Sequence, residues 1–181
     1  MEKYSFSFKD KYAVQKVRDS LENFFDQGKP VIVCIGTDLT IGDSLGPIIG
    51  TMLIKKNVNA FVYGTLNCPV TAKDVKALTI FLKKAHSGER ILVIDAAIGI
   101  SDDVGKIKVE HAPIKPGSGA NKDLPEVGDV NLIGIIAEKS SSNYAFLNLT
   151  RLSAVYNMAS VIADGIAERL NDLKSGDKIA S

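Results

Sequence analysis

Three short, unbroken apolar runs constrain this chain more than anything else in it: residues 31–35 (VIVCI), 91–94 (ILVI) and 132–137 (LIGIIA). Strands that are apolar at every position belong in the middle of a sheet covered on both faces, which is the situation of a parallel sheet flanked by helices. Between and around them run stretches of helical period. Val14, Val17, Leu21 and Phe24 give a first helix, closed by Gly28 and Pro30. Leu45, Ile48, Ile49, Met52 and Leu53 give a second, and Val75, Leu78, Leu82 and Ala85 a third, closed by Gly88. A long stripe from Leu152 through Val155, Ala159, Ile162 and Ile166 to Leu170 gives the last. Residues 61–63 supply a further strand. Ile107 and Val109 alternate with lysines and a glutamate, the pattern of a half-exposed margin strand.

Strands alternating with helices at these intervals predict βαβ units with right-handed crossovers, and so an α/β fold: a three-layer α/β/α sandwich around a mostly parallel sheet. A chain of 181 residues forms one domain around one core, residues 1–181, with the polar ends 1–10 and 174–181 expected to fray. The 22 basic and 21 acidic side chains nearly cancel, which removes the charge excess that nucleic-acid binding requires. No run is apolar and long enough to span a bilayer, and the first ten residues lack the apolar segment of a secretory signal, so a cytoplasmic protein without membrane contact is expected. Cys34 and Cys68 lack metal-ligand spacing and read as small core residues. His86, after an amphipathic helix, reads as a surface residue. His111 reads as exposed or as approaching the site.

In an open parallel sheet, ligands bind beyond the carboxyl ends of neighbouring strands whose connections diverge. A strand order beginning 2-1-3, counted from the run at 31–35, makes that run and the one at 91–94 the neighbours. The first is followed by Gly36-Thr37-Asp38-Leu39-Thr40-Ile41-Gly42-Asp43, the second directly by Asp95. Partial desolvation raises a carboxyl pKa, and two carboxylates close together hold one proton between them, which supplies a general acid and a general base at once. Taken alone, Asp43 reads first as a helix N-cap. A strand-end acid such as Asp95 also serves to brace loop amides.

The segment 99–130 is too long for a simple connection and is rich in Gly, Pro, Asp and Lys, so the site is expected to involve it. Within it, Lys115, Gly117, Ser118, Gly119 and Lys122 are candidate substrate contacts that could present backbone amides and charge to an anion, although a solvated turn is the stronger reading from the residues alone. Asn67 and the 138–140 segment reach the same sheet edge as further contacts. The glycines at 36, 42 and 46 do not form a dinucleotide fingerprint, and no cofactor or metal is expected.

Three motifs in order, Gly42-Asp43-Ser44-Leu45-Gly46-Pro47, then Val93-Ile94-Asp95-Ala96, then Pro116-Gly117-Ser118-Gly119 with Asn121-Lys122, resemble the germination protease family of spore-forming bacteria. The resemblance is closer still to the shorter YyaC-type sporulation proteins, and it covers about two thirds of the chain. It implies an aspartic-type endopeptidase with Asp43 and Asp95 as catalytic acids, a protein or peptide substrate, self-assembly into a homo-oligomer and a place in the forespore or spore core. A sporulation protein that keeps the fold as a binding module is the alternative. The hydrogenase maturation endopeptidases are similar around Gly36, Asp43 and Asp95, and imply a nickel-dependent peptidase as a third reading. Where the germination proteases carry a histidine before Pro-Gly-Ser-Gly, this chain has Lys115.

Overall fold

The computed structural model describes residues 2–25, 28–116, 125–139 and 150–176, the side chains of 173–176 excepted. Six strands make one sheet: β1 (Lys3–Ser7), β2 (Val31–Cys34), β3 (Phe61–Tyr63), β4 (Ile91–Gly99), β5 (Lys106–Glu110) and β6 (Val130–Glu138). Their order across the sheet is β1-β5-β6-β4-β2-β3. The four strands β3, β2, β4 and β6 are parallel, and β5 and β1 are added antiparallel at one side. The expected arrangement of the runs at 31–35, 61–63 and 91–94 is therefore found, as are both central strands.

Among the described residues four helices cover the sheet: α1 (Ala13–Ser20), α2 (Leu45–Lys55), α3 (Val75–Ala85) and α4 (Leu152–Gly176). Strand alternation sorts the core into two halves. Ile32, Cys34, Leu92, Ile94 and Leu132 face α1, α2 and α4, and pack with Val17, Leu45, Ile49, Met158 and Ile162. Val31, Val33, Ile35 and Val93 face the opposite way, against Val75 and Leu82 of α3 and against Val127. This is the predicted three-layer sandwich.

Two differences bear on the site. Residues 3–7, expected to fray, are an edge strand in register with β5, from Lys3 opposite Glu110 to Ser7 opposite Lys106. The short polar-aromatic segment hides its role because an exposed edge strand needs no apolar alternation when its partner strand supplies the burial. The run at 91–94 also continues as a strand for five more residues to Gly99, paired with β6 throughout and irregular between Ala97 and Ile98.

Close backbone packing fixes the end of β2. A methyl group on Gly46 would overlap the Ile35 carbonyl, so α2 lies against the strand with only a hydrogen between them. Gly36 adopts φ +141° where any Cβ would meet the Asp43 carbonyl, a combination that only glycine tolerates.

Candidate active site

The loop that leaves β2 turns back on itself at once. The Thr37 amide donates to the Asp43 carbonyl at 3.0 Å, and the Asp43 amide donates to the Thr40 carbonyl at 3.0 Å. Asp43 thereby sits in a 3-10 turn, Ile41–Ser44, that runs directly into α2. The turn packs against β4. No side chain caps either the turn or α2, since Ser44 spends its hydroxyl on the Ile41 carbonyl at 2.6 Å. Asp43 is not the N-cap that its position first suggests. Its carboxyl is pushed above the ordinary aspartate value by desolvation, against a weaker opposing pull from the Thr37 amide.

Asp95 lies inside β4, opposite Ile133 of β6 and one residue past Ile94, the last β4 residue in register with β2. It is 8% exposed. Oδ1 accepts the Ala96 amide at 2.8 Å. The Ile35 amide donates to the Ile94 carbonyl at 2.8 Å, and beyond that rung β2 has ended while β4 continues. Asp95 therefore lies inside β4 just past the point where β2 ends, and Asp43 lies in the turn that follows β2. The connection after β2 leads outward to β3, and the connection after β4 leads the other way, over β6 to β5. This second connection passes through a short 3-10 turn, Ser101–Asp103, and no helix.

Asn67 is exposed in a tight turn closed by hydrogen bonds between Thr65 and Cys68. That turn returns through Val70, which bridges to Ile35 and accepts the Gly36 amide at 2.9 Å. Asn67 thus reaches the same sheet edge, on the β3 side. Lys115 is exposed between buried Pro116 and half-buried Ile114, whose bridge to Val127 anchors this arm over the face to which alternation turns Asp95. Gly117, Ser118, Gly119 and Lys122 lie outside the described residues.

Neither histidine joins the acids. His86 is buried, not at the surface: its Nε2 is 2.7 Å from the Tyr63 hydroxyl and its ring packs on Phe61 and Phe81. His111 hydrogen-bonds the Ser20 carbonyl at 2.9 Å, next to Glu110 and so at the amino end of β6, the opposite edge of the sheet. Cys34 is buried as expected, but Cys68 is exposed. Among the described residues no three His, Cys, Asp or Glu side chains converge as a metal site. The donors at the crevice are carboxylate oxygens, which suit hard cations better than nickel. A separate hollow of about 320 Å³ between α4 and the β1–β5 margin, lined by Phe8, Gly105, Ile135 and Val155, touches neither acid.

Sequence reasoning missed the continuation of β4 past the acid. Ala96-Ala97-Ile98-Gly99 carries only the weak signal of small and apolar residues, which strands, turns and helices share.

A family model described as "Protein of unknown function (DUF1256)" matches residues 5–165. The chain is 42% identical to a Bacillus subtilis (strain 168) protein named "Uncharacterized protein YyaC" over 158 residues, 81% of this chain and 77% of that one. Its fold is similar to that of the [NiFe] hydrogenase maturation protease HycI from Thermococcus kodakarensis KOD1. The TM-score is 0.51 at 16% identity, covering 83% of this chain and 98% of that chain.

Proposed function

Given that the chain belongs to this DUF1256 family, we propose that it is a sporulation-associated endopeptidase of aspartic type that acts on a protein substrate through Asp43 and Asp95. One observation carries the reading: the two acids belong to the segments of the adjacent parallel strands β2 and β4, Asp95 where β2 has ended and Asp43 in the turn after β2, in a fold shared with a maturation protease, and desolvation holds the carboxyl of Asp43 toward its protonated form.

The proposed chemistry gives the two acids different roles. Asp95, as carboxylate, accepts a proton from a water molecule whose oxygen attacks the scissile carbonyl carbon. Asp43 delivers its proton to the amide nitrogen as the carbon–nitrogen bond breaks, leaving a carboxyl and an amine. Asn67, Lys115, Gly117, Ser118, Gly119 and Lys122 are proposed to contact the substrate. The purified protein is to be incubated with a spore-protein extract beside its Asp43→Asn and Asp95→Asn variants, and new peptide termini read by mass spectrometry. Termini produced by the unmodified protein alone support the reading. Equal cleavage by either variant, or no cleavage at all, overturns it.

A binding module is the second reading, favoured by the Ala96 amide that Asp95 accepts, because a carboxylate in that bond also braces the strand it sits on. A stable complex that survives Asp95→Asn without turnover supports it.

A further inference from the structure

Among the described residues, the step between β2 and β4 leaves a strand edge unpaired. β2 stays in register with β4 only from Val31 opposite Ile91 to Cys34 opposite Ile94, whereas β4 runs on to Gly99 against β6. The Ile94 carbonyl faces β2, where the Ile35 amide meets it. Backbone groups alternate sides along a strand, so the Ala96 amide and carbonyl face the same way, into the space β2 has vacated. Asp95 Oδ1 occupies the Ala96 amide. The turn bearing Asp43 packs against β4, yet among the described residues no backbone hydrogen bond joins residues 36–44 to residues 96–98. An edge of this kind is a template for a further strand.

The surroundings specify what that strand would be. Leu39 is 89% exposed on the loop after β2, and Ile100 is 67% exposed on the loop after β4, with Ile41 exposed beside Asp43. Two exposed acids, Asp38 and Asp102, stand on the same two loops and belong to no ion pair among the described residues. Lys106 and Lys108 are both engaged by Asp103, at 2.9 and 2.6 Å. These two loops are therefore apolar and negative, with Lys115 and Lys139 exposed farther along the crevice.

We propose that the crevice takes its substrate by strand addition: an extended polypeptide rich in apolar and basic side chains hydrogen-bonds to the open edge of β4 at Ala96–Ile98. This rests on the reading of the crevice as a polypeptide site. Main-chain pairing supplies affinity in such complexes, and the flanking side chains supply selection. It also brings a substrate amide beside Asp95 by geometry alone, since the edge starts at that residue.

The test is binding, read apart from turnover. Fluorescein-labelled peptides of alternating valine and lysine, and of alternating valine and glutamate, are titrated by fluorescence anisotropy against the full-length Asp43→Asn protein. The lysine peptide is then remade with single N-methyl groups at successive amides. Strand addition predicts affinity falling about tenfold at every second methylated amide and little between, with the lysine peptide bound about tenfold tighter than the glutamate peptide. Asp38→Asn with Asp102→Asn narrows that preference. Uniform losses along the methyl series, equal binding of the two peptides, or no binding up to millimolar peptide overturns the proposal. Periodic binding to a protein that cleaves nothing separates this inference from hydrolysis, which would then be the part that fails.

Discussion

Cys34 and Ile94 are the last residues of β2 and β4 to lie in register, and the next residue of β4 is Asp95. The acid is thus held where one strand stops and its neighbour continues, with Asp43 returned to the end of β2 by the turn closed between Thr37 and Asp43. Substitution of either acid by asparagine keeps the shape and removes the proton chemistry. Asp43→Asn and Asp95→Asn are expected to lower cleavage by about a hundredfold or more with an unchanged far-ultraviolet circular dichroism spectrum, measured on the same substrate as the parent protein.

The raised carboxyl pKa of Asp43 carries a sign for stability. The folded state binds this proton more tightly than the unfolded chain, so the cost of ionising Asp43 is absent below the ordinary aspartate pKa and grows as pH rises through the folded value. Asp43→Asn removes that cost. Its melting temperature should exceed the parent's near pH 7, and the difference should shrink toward pH 3, as differential scanning fluorimetry across pH will show.

Gly46 allows α2 to rest on the Ile35 carbonyl. Gly46→Ala forces helix and strand apart and is expected to cost roughly 1–3 kcal/mol in chemical denaturation. Because Asp43 precedes that helix, the same variant should lose activity at temperatures where it is still folded.

Much of this architecture is legible in the chain, and the illegible parts share a cause. The runs at 31–35, 91–94 and 132–137 announce central strands because burial on both faces leaves room only for apolar residues. Asp43 and Asp95 stand out because they follow such runs. Lys3–Ser7 does not stand out, since a margin strand is chosen by its pairing with β5 and not by burial. His86 misleads for a related reason: a helix-end histidine is ordinarily solvated, and the approach of Phe61 and Tyr63 from β3, with Phe81 of its own helix, covers it. The open side of β4 is likewise a relation between the lengths of two strands, which no single segment records.

Tyr63 and His86 supply a direct check on that buried contact. Tyr63→Phe removes the hydroxyl 2.7 Å from Nε2 and leaves the ring nitrogen without it. A loss of about 1–3 kcal/mol in unfolding free energy is expected, read by urea denaturation.

The two thiols differ in the same testable way. Burial pushes the Cys34 thiol well above its ordinary pKa, while Cys68 is exposed. Under native conditions Ellman's reagent should modify Cys68 alone, and Cys34 only after denaturation.

The place of β6 reaches beyond the crevice to how the chain is made. This strand is the last of the six in sequence, yet it stands between β4 and β5. Until the ribosome has delivered residue 138, the β3-β2-β4 group and the β1-β5 pair have no common partner, and each shows a bare flank to the cell. A nascent chain halted before that point holds two half-sheets prone to stick to other chains. Concealment of those flanks waits on β6, which makes the interval before that strand is delivered the one in which a chaperone has most to protect.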